Sequence, residues 1–380
     1  MCYAIVLATV ESLSRKKRFP FIKERGEALK LELAKVKSPC IYSDSCGGCS
    51  YIDLAYEDEL RLKRQVLQEL FAQVQPEWGA LVEPVQPSPA EFGHRSKMTL
   101  QMLQLLSKQI VYGTCPYGSP HILEIKSCSV VDPVLSQMIP QFQAQLEQMD
   151  LEGYRRATIS LRSDLSGKTA WGGIGRGSLK QSFEQGFSFE HFGIKVQFSM
   201  QTFFQSNLYI LPKLLDGLEA KLKVGPQDIF YDLYGGVGLF GLMLGRKALQ
   251  VQLIELNPDS IAWARHNGEL NGFSHLKIIL GAVEDCMGAL QQLQPCAGRH
   301  IAMIDPPRCG LHPKVIAVLR DHEHLESLVY LSCNPESQSQ DLLALCATGN
   351  WRLETILPWD FFPKSYHVES LAILKRVRAG

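Results

Sequence analysis

Apolar and polar residues alternate in two textures that meet near Met200. Between Pro39 and about Phe198 the alternation is short and two-fold, in runs such as Met98–Leu105, Ala157–Arg162 and Ile194–Phe198, separated by turns containing Gly or Ser. A period of two puts every second side chain on one face of a strand, so this part reads as β-rich. One helix interrupts it, from Leu54 to Phe71, where apolar residues fall near helical spacing among Glu, Asp, Arg and Lys. The stretch Gly172-Gly173-Ile174-Gly175-Arg176-Gly177 has G-x-G-x-G spacing but no strand-then-helix frame, and reads as a hairpin turn.

After about Met200, strand-like runs at Ile229–Leu233, Val251–Glu255, Lys277–Leu280, Ile301–Ile304 and Leu328–Leu331 are separated mostly by helical segments. That alternation predicts a doubly wound parallel sheet, closed by an antiparallel pair at Arg352–Leu357 and Glu369–Leu374. No internal repeat or low-complexity tract is present, and the chain is expected to act as a monomer.

Length and composition narrow the class. The chain has 380 residues, 46% of them hydrophobic and 21% charged, which suits a globular protein of two or three domains and excludes disorder or a collagen-like fibre. No window approaches the roughly 20 apolar residues that span a bilayer, and the first residues lack a signal peptide's long apolar core, so a cytoplasmic protein without a membrane partner is expected. With 39 basic and 39 acidic residues the net charge is zero, which gives no global footprint of nucleic-acid binding. Locally the balance differs. Residues 1–37 hold nine basic and four acidic residues, including Arg15-Lys16-Lys17-Arg18, as a solvated arm or a phosphate-contacting one.

Candidate chemistry gathers at the ends of the predicted parallel strands. The first runs into D-L-Y-G-G-V-G (Asp232 to Gly238), and glycines at such a turn let the backbone approach a ligand in the crevice where open α/β sheets bind nucleotides. The next strand ends in Glu255, able to accept hydrogen bonds from ribose hydroxyls; Asn257-Pro258 then caps a helix that stops at Asn271-Gly272. Dinucleotide and S-adenosylmethionine are the two ligands to weigh. The short spacing of Gly235, Gly236 and Gly238, with Asp232 before it, departs from G-x-G-x-x-G and suits an adenosyl ligand without phosphates. The fourth strand ends in D-P-P-R (Asp305 to Arg308) and the fifth in S-C-N-P (Ser332 to Pro335). A thiol there, Cys333, is a candidate nucleophile, and Glu369 at the start of the last strand is a candidate general base.

The 11 cysteines form a second theme, since an odd count without a signal peptide points to metal, catalysis or buried thiols rather than a disulfide framework. Cys40, Cys46 and Cys49 stand as C-x5-C-G-G-C, and Cys128 or Cys115 could complete four thiolates. Such a set favours zinc or an iron–sulfur cluster; one C-x2-C knuckle with a wider arm and a distant fourth cysteine leans toward [4Fe–4S].

Taken together, C-x5-C-G-G-C, Q-T-F-F-Q-S-N (Gln201 to Asn207), D-L-Y-G-G-V-G, I-E-L-N-P (Ile254 to Pro258), D-P-P-R-C-G-L (Asp305 to Leu311), S-C-N-P and H-V-E (His367 to Glu369) resemble the uracil-5-methyltransferase family of RNA-modifying enzymes, from Cys40 to Leu374. The iron–sulfur cysteines look most like those of the members that act on 23S ribosomal RNA. The resemblance implies a Rossmann-like, S-adenosylmethionine-dependent methyltransferase domain at 199–380, a central β-rich iron–sulfur domain at 38–198, and a basic segment at 1–37 too short for the β-barrel RNA-binding domain with which many members begin. It implies that Cys333 adds to carbon 6 of the target uracil and that Glu369 removes the carbon 5 proton. Phe203 would stack near the flipped base. Gln205 and Asp305 would bond the uracil or the cofactor, and Tyr234, Gly236 and Glu255 would line the adenosyl site. Cys128 would be the fourth cluster ligand beside Cys40, Cys46 and Cys49. Leu239 stands where relatives often have Asn or Thr.

Overall fold

The computed structural model describes residues 20–105, 107, 109–116, 119, 121–148, 155–173, 183–291 and 297–377. The basic run at 15–18, Cys2, Cys296 and the glycines at 175 and 177 lie outside the described residues. The chain begins with α1 (Pro20–Lys30), a single turn α2 (Ser43–Cys46) and the long α3 (Tyr56–Val74). Next come β1 (Lys97–Gln104), β2 (Ile110–Thr114), β3 (Leu123–Glu124), α4 (Pro133–Glu147), β4 (Arg156–Ser163) and β5 (Thr169–Gly172). These strands form an antiparallel sheet in the order β3-β2-β1-β4-β5. Met98, Leu100 and Met102 of β1 and Ile159 and Leu161 of β4 point to one face and share a core with Leu135 and Ile139 of α4, as the two-residue period requires.

The hairpin of β6 (Phe187–His191) and β7 (Ile194–Phe198) leads into the second unit, which starts with α5 (Leu211–Leu222). There β8 (Ile229–Leu233), α6 (Leu239–Leu244), β9 (Gln250–Glu255), α7 (Pro258–Leu270), β10 (Leu276–Leu280), α8 (Val283–Gln291), β11 (His300–Ile304), α9 (Pro313–Asp321), β12 (Leu325–Ser332) and α10 (Pro335–Cys346) alternate. They are followed by β13 (Trp351–Trp359) and β14 (Glu369–Arg376). The sheet order is β10-β9-β8-β11-β12-β14-β13, with β14 inserted antiparallel between β12 and β13. The remaining neighbours are parallel.

Parallel strands are buried on both faces, and the alternation along them separates two cores. Ile229, Tyr231 and Leu233 join Ala302, Ile304 and Tyr330 on one side; Phe230, Ile301, Met303 and Val329 lie on the other, with β6, β7 and α5. Helix α3 packs its stripe of Leu62, Val66, Leu67, Leu70 and Phe71 into the first of these cores. It is tied there by buried Lys63, whose Nζ donates to Glu59 and to Asp360 at 2.7 Å each. Bridges Val82↔Ile356 and Gln86↔Trp359 extend the sheet beyond β13. Among the described residues no helix is long and apolar enough to cross a membrane.

Candidate active site

The first half of the site is built where β8 hands over to α6. Tyr234 takes a left-handed backbone (φ 62°), and Gly236 (φ 54°) and Gly238 (φ 91°) continue the turn; glycine relieves that strain at the last two. A Cβ at Gly235 would meet Leu253 at 2.6 Å, whereas one at Gly236 would project into open space, so Gly235 lets the turn pack on β9 while Gly236 faces a crevice. Glu255, ending β9, accepts from Gly236 N at 3.0 Å and Asn257 N at 2.7 Å. Each carboxylate oxygen has two lone pairs, so both keep capacity toward a hydroxyl. Asp232 accepts from Gly241 N at 2.7 Å, and burial, with Glu255 near, pushes it up to about 7. Leu256 and Leu280, 57% and 54% exposed, present an apolar rim at the ends of β9 and β10.

The second half lies across β11, β12 and β14. The antiparallel register pairs Ser332 with Ser370, which places Cys333, one residue beyond, and Glu369, one residue before, as neighbours at the same end of the sheet. Asp305 follows β11 on the other side of β12, and Gln205 Nε2 reaches its Oδ2 at 3.5 Å. Burial pushes the Cys333 thiol up to about 12, reinforced by Glu369 and Asp305 and opposed by Arg308, which hydrogen-bonds it. Burial, with Asp305 beside it, likewise lifts Glu369 to about 8. Asp305 rises to about 7 through burial and then Asp232. Phe203 stands 69% exposed while Gln205 is buried.

The sequence reading gave no role to the residues that hold this end in place. Asn334 caps α10, accepting from Glu336 N and Ser337 N at 3.1 and 3.3 Å, while its Nδ2 donates to Arg308 O at 2.7 Å. Ser337 Oγ donates to the same carbonyl at 3.2 Å. An Asn-Pro pair at a helix start is a recognisable cap, but its second partner, across 26 residues, leaves no trace in local pattern.

Glu255, Asp232 and Asp305 thus sit at the carboxyl ends of β9, β8 and β11, and Glu369 at the amino end of antiparallel β14, all at one end of the sheet. A carboxylate such as Glu255 at this end disfavours a pyrophosphate and favours a cation. The residues here fit S-adenosylmethionine, whose sulfonium and ammonium are positive and whose ribose can use Glu255. The open space at Gly236 and the apolar rim suit an adenosyl group.

Four of the five cysteines of the first unit line one cavity. Cys40, Cys46 and Cys49 come from the segment around α2, turned back at Gly47 (φ 65°), and Cys128 comes from the loop before α4. Cys46 Sγ lies 3.5 Å from Thr114 Oγ1, and Cys128 N donates to Ser136 Oγ at 2.9 Å. Exposed Cys115 is not in this lining. Burial pushes Cys49 up to about 12, opposed by Arg95 and reinforced by the other three sulfurs, and it raises Cys128. Among the described residues no three Cys, His, Asp or Glu side chains close on a single metal ion. Four thiols drawn from two separate segments are a donor set that suits zinc and an iron–sulfur cluster alike.

Residues 179–377, just over half of the chain, match the family model described as tRNA (Uracil-5-)-methyltransferase. An uncharacterized RNA methyltransferase of Synechocystis is 26% identical over 405 residues, covering 92% of this chain and 84% of the relative. The tRNA (uracil(54)-C(5))-methyltransferase of Schizosaccharomyces pombe is 26% identical over 357 residues, covering 89% and 65%. The crystal structure of Pyrococcus abyssi tRNA (uracil-54, C5)-methyltransferase, in complex with S-adenosyl-L-homocysteine, superposes with a TM-score of 0.65. It is 22% identical over 87% of this chain and 86% of that one, and the two share a fold.

Proposed function

The chain belongs to the tRNA (uracil-5-)-methyltransferase family, and from that premise we propose that it methylates carbon 5 of one uridine in RNA through a covalent bond to Cys333. The observation that carries this reading is the juxtaposition of Cys333 and Glu369 at the end of an acid-lined crevice. Uracil is a weak carbon nucleophile, and covalent addition divides one hard alkylation into easier steps.

Cys333 releases its proton to solvent and its sulfur bonds to carbon 6 as the thiolate, while the carbon 5–carbon 6 π pair moves onto carbon 5 and the ring carbonyl. S-adenosylmethionine supplies an electrophilic methyl group on a positive sulfur. Carbon 5 takes that methyl while the sulfur keeps the bonding pair. Glu369 then removes the proton from carbon 5, the double bond re-forms, and Cys333 leaves with its electron pair. Arg308, hydrogen-bonded to Cys333, favours the thiolate against burial. Asp305, bonded by Gln205, holds an edge of the base, and exposed Phe203 offers a face for stacking once the base has left its own stack, at a cost of a few kcal/mol. Tyr234, Gly236 and Glu255 hold the adenosyl portion.

Cys40, Cys46, Cys49 and Cys128 hold a [4Fe–4S] cluster in this reading, since a soft metal displaces thiol protons and binds the sulfurs as thiolates. Because that cysteine set is the feature shared with the ribosomal members, 23S ribosomal RNA is the proposed substrate. The names of the yeast and archaeal relatives favour a second reading, transfer RNA. Methyl incorporation from labelled S-adenosylmethionine into ribosomal and transfer RNA, followed by nucleoside mapping, separates them; incorporation into transfer RNA alone overturns the ribosomal assignment. A protein that binds RNA without catalysis would incorporate nothing into either.

A further inference from the structure

The loop carrying Phe203 is pinned from a distance by a buried charge. Arg162 is the next-to-last residue of β4 in the first unit and is 0% exposed. It forms no ion pair among the described residues, and its ladder neighbour across β1 is another cation, Lys97. Burial presses against the Arg162 charge without removing it at neutral pH. The guanidinium is spent instead on one loop. Nη1 donates to Ser199 O at 2.5 Å and Thr202 O at 2.9 Å, and Nη2 donates to Phe204 O at 3.3 Å. Its Cζ also lies over the Phe198 ring, 4.6 Å from the centroid, and Phe204 stacks on Phe198 with ring centroids 3.9 Å apart.

Two of the three carbonyls, those of Thr202 and Phe204, flank Phe203. Between these held neighbours Phe203 stands 69% exposed. The loop is otherwise closed by Ser199 and Thr202, with Ser199 N donating to Thr202 Oγ1 at 2.9 Å and Thr202 N to Ser199 Oγ at 3.1 Å. Its far end is held by Ser96 of the segment entering β1, whose N and Oγ both donate to Ser206 O, at 2.7 and 2.9 Å. Between these anchors lies Gln205, which reaches Asp305. A five-donor fork is the side chain able to collect several carbonyls at once, and holding an exposed aromatic rigid lowers the ordering cost when it meets a ligand.

We propose that Arg162 is a positioning residue: from the β-rich unit it fixes the 199–206 loop so that Phe203 stands ready to stack on the substrate base. This deepens the methyltransferase reading and rests on it for the role of Phe203. Arg162 bonds only to backbone carbonyls of this loop among its side-chain hydrogen bonds, so its loss acts through the loop, and through Phe203 first, whose two flanking carbonyls it holds.

The test is a double-substitution cycle combined with hydrogen exchange on the full chain. Arg162→Met is expected to raise amide exchange at 199–206 by tenfold or more while β8 to β12 stay protected. It should raise KM for RNA by about tenfold, with a smaller change in kcat and S-adenosylmethionine affinity within about twofold of the parent. In a Phe203→Ala background the same substitution should add less than about twofold to KM, because the group it positions is gone. Arg162→Lys keeps the charge without the fork and should fall between, and it carries the comparison if Arg162→Met does not fold. Multiplying effects in the cycle, or unchanged exchange in the loop, would overturn the proposal. A wild-type protein that methylates no RNA would instead sink the activity assignment, while the exchange measurement still decides whether Arg162 holds the loop.

Discussion

Replacing Glu369 by Gln keeps the shape of the side chain and removes its charge, which isolates the electrostatic cost of the site. Burial, with Asp305 beside it, raises the Glu369 carboxyl from 4.5 to about 8. Between those values the native protein holds a proton that the unfolded chain has released, so this group makes wild-type stability fall as pH rises, by about 1.4 kcal/mol per pH unit. The loss begins near the unfolded value and is complete above about pH 8. The full span corresponds to at most about 5 kcal/mol, and relaxation of the site should leave about 2 to 3 kcal/mol of it measurable. Asp232 and Asp305 act in the same direction in both proteins, so they largely cancel in the difference. Urea unfolding of both proteins at several values from pH 5 to pH 9 measures it. Glu369→Gln should gain on the wild type steadily up to about pH 8 and hold its lead above that. Parallel pH profiles, or a variant that loses ground with rising pH, would falsify the burial argument.

Other outcomes follow from the same site. Glu369→Gln should react once and stall, accumulating a covalent RNA–protein band with ordinary uridine substrate, visible on a denaturing gel, because Cys333 cannot leave until the carbon 5 proton is removed. Cys333→Ala should lose methyl transfer by about 10⁴-fold or more, yet bind S-adenosylmethionine within about twofold by calorimetry, since the crevice at Gly236 and Glu255 is untouched. With saturating RNA, kcat should climb with pH through about 8 as Glu369 becomes the carboxylate that removes the carbon 5 proton, an inflection absent from the single-turnover addition step in Glu369→Gln. Anaerobically purified protein should carry about four iron atoms, and Cys46→Ser should lose them; stoichiometric zinc would overturn the cluster assignment.

Much of the fold was legible because burial imposes periods. The five parallel strands appear where apolar runs predict them, and α3 appears where apolar residues recur at helical spacing. What the pattern did not reveal is which surface each element covers. Apolar spacing marks the buried face of α3, but its packing beside Tyr231 and Tyr330 is set by contacts hundreds of residues apart, such as Lys63 with Asp360. The insertion of β14 between β12 and β13 is equally silent in local periodicity, and yet it brings Glu369 to Cys333. The motifs named Cys333, Asp305 and Glu255 because each ends a strand, whereas Arg162 gave no signal. Its three partners are backbone carbonyls, which any sequence at 199–204 supplies. Asn334 was visible as a cap but not as the clamp on Arg308, since the carbonyl it holds belongs to a different loop.

The central claim is that Cys333 bonds covalently to a uracil on the way to carbon 5 methylation. Its most direct measurement uses RNA in which 5-fluorouridine replaces uridine, incubated with the protein and S-adenosylmethionine. Fluorine cannot leave as a proton from carbon 5, so the methylated adduct should persist. Peptide mass mapping should locate the modified nucleotide on Cys333, with no adduct in Cys333→Ala. An unmodified Cys333 in protein that still methylates uridine-containing RNA would contradict the mechanism.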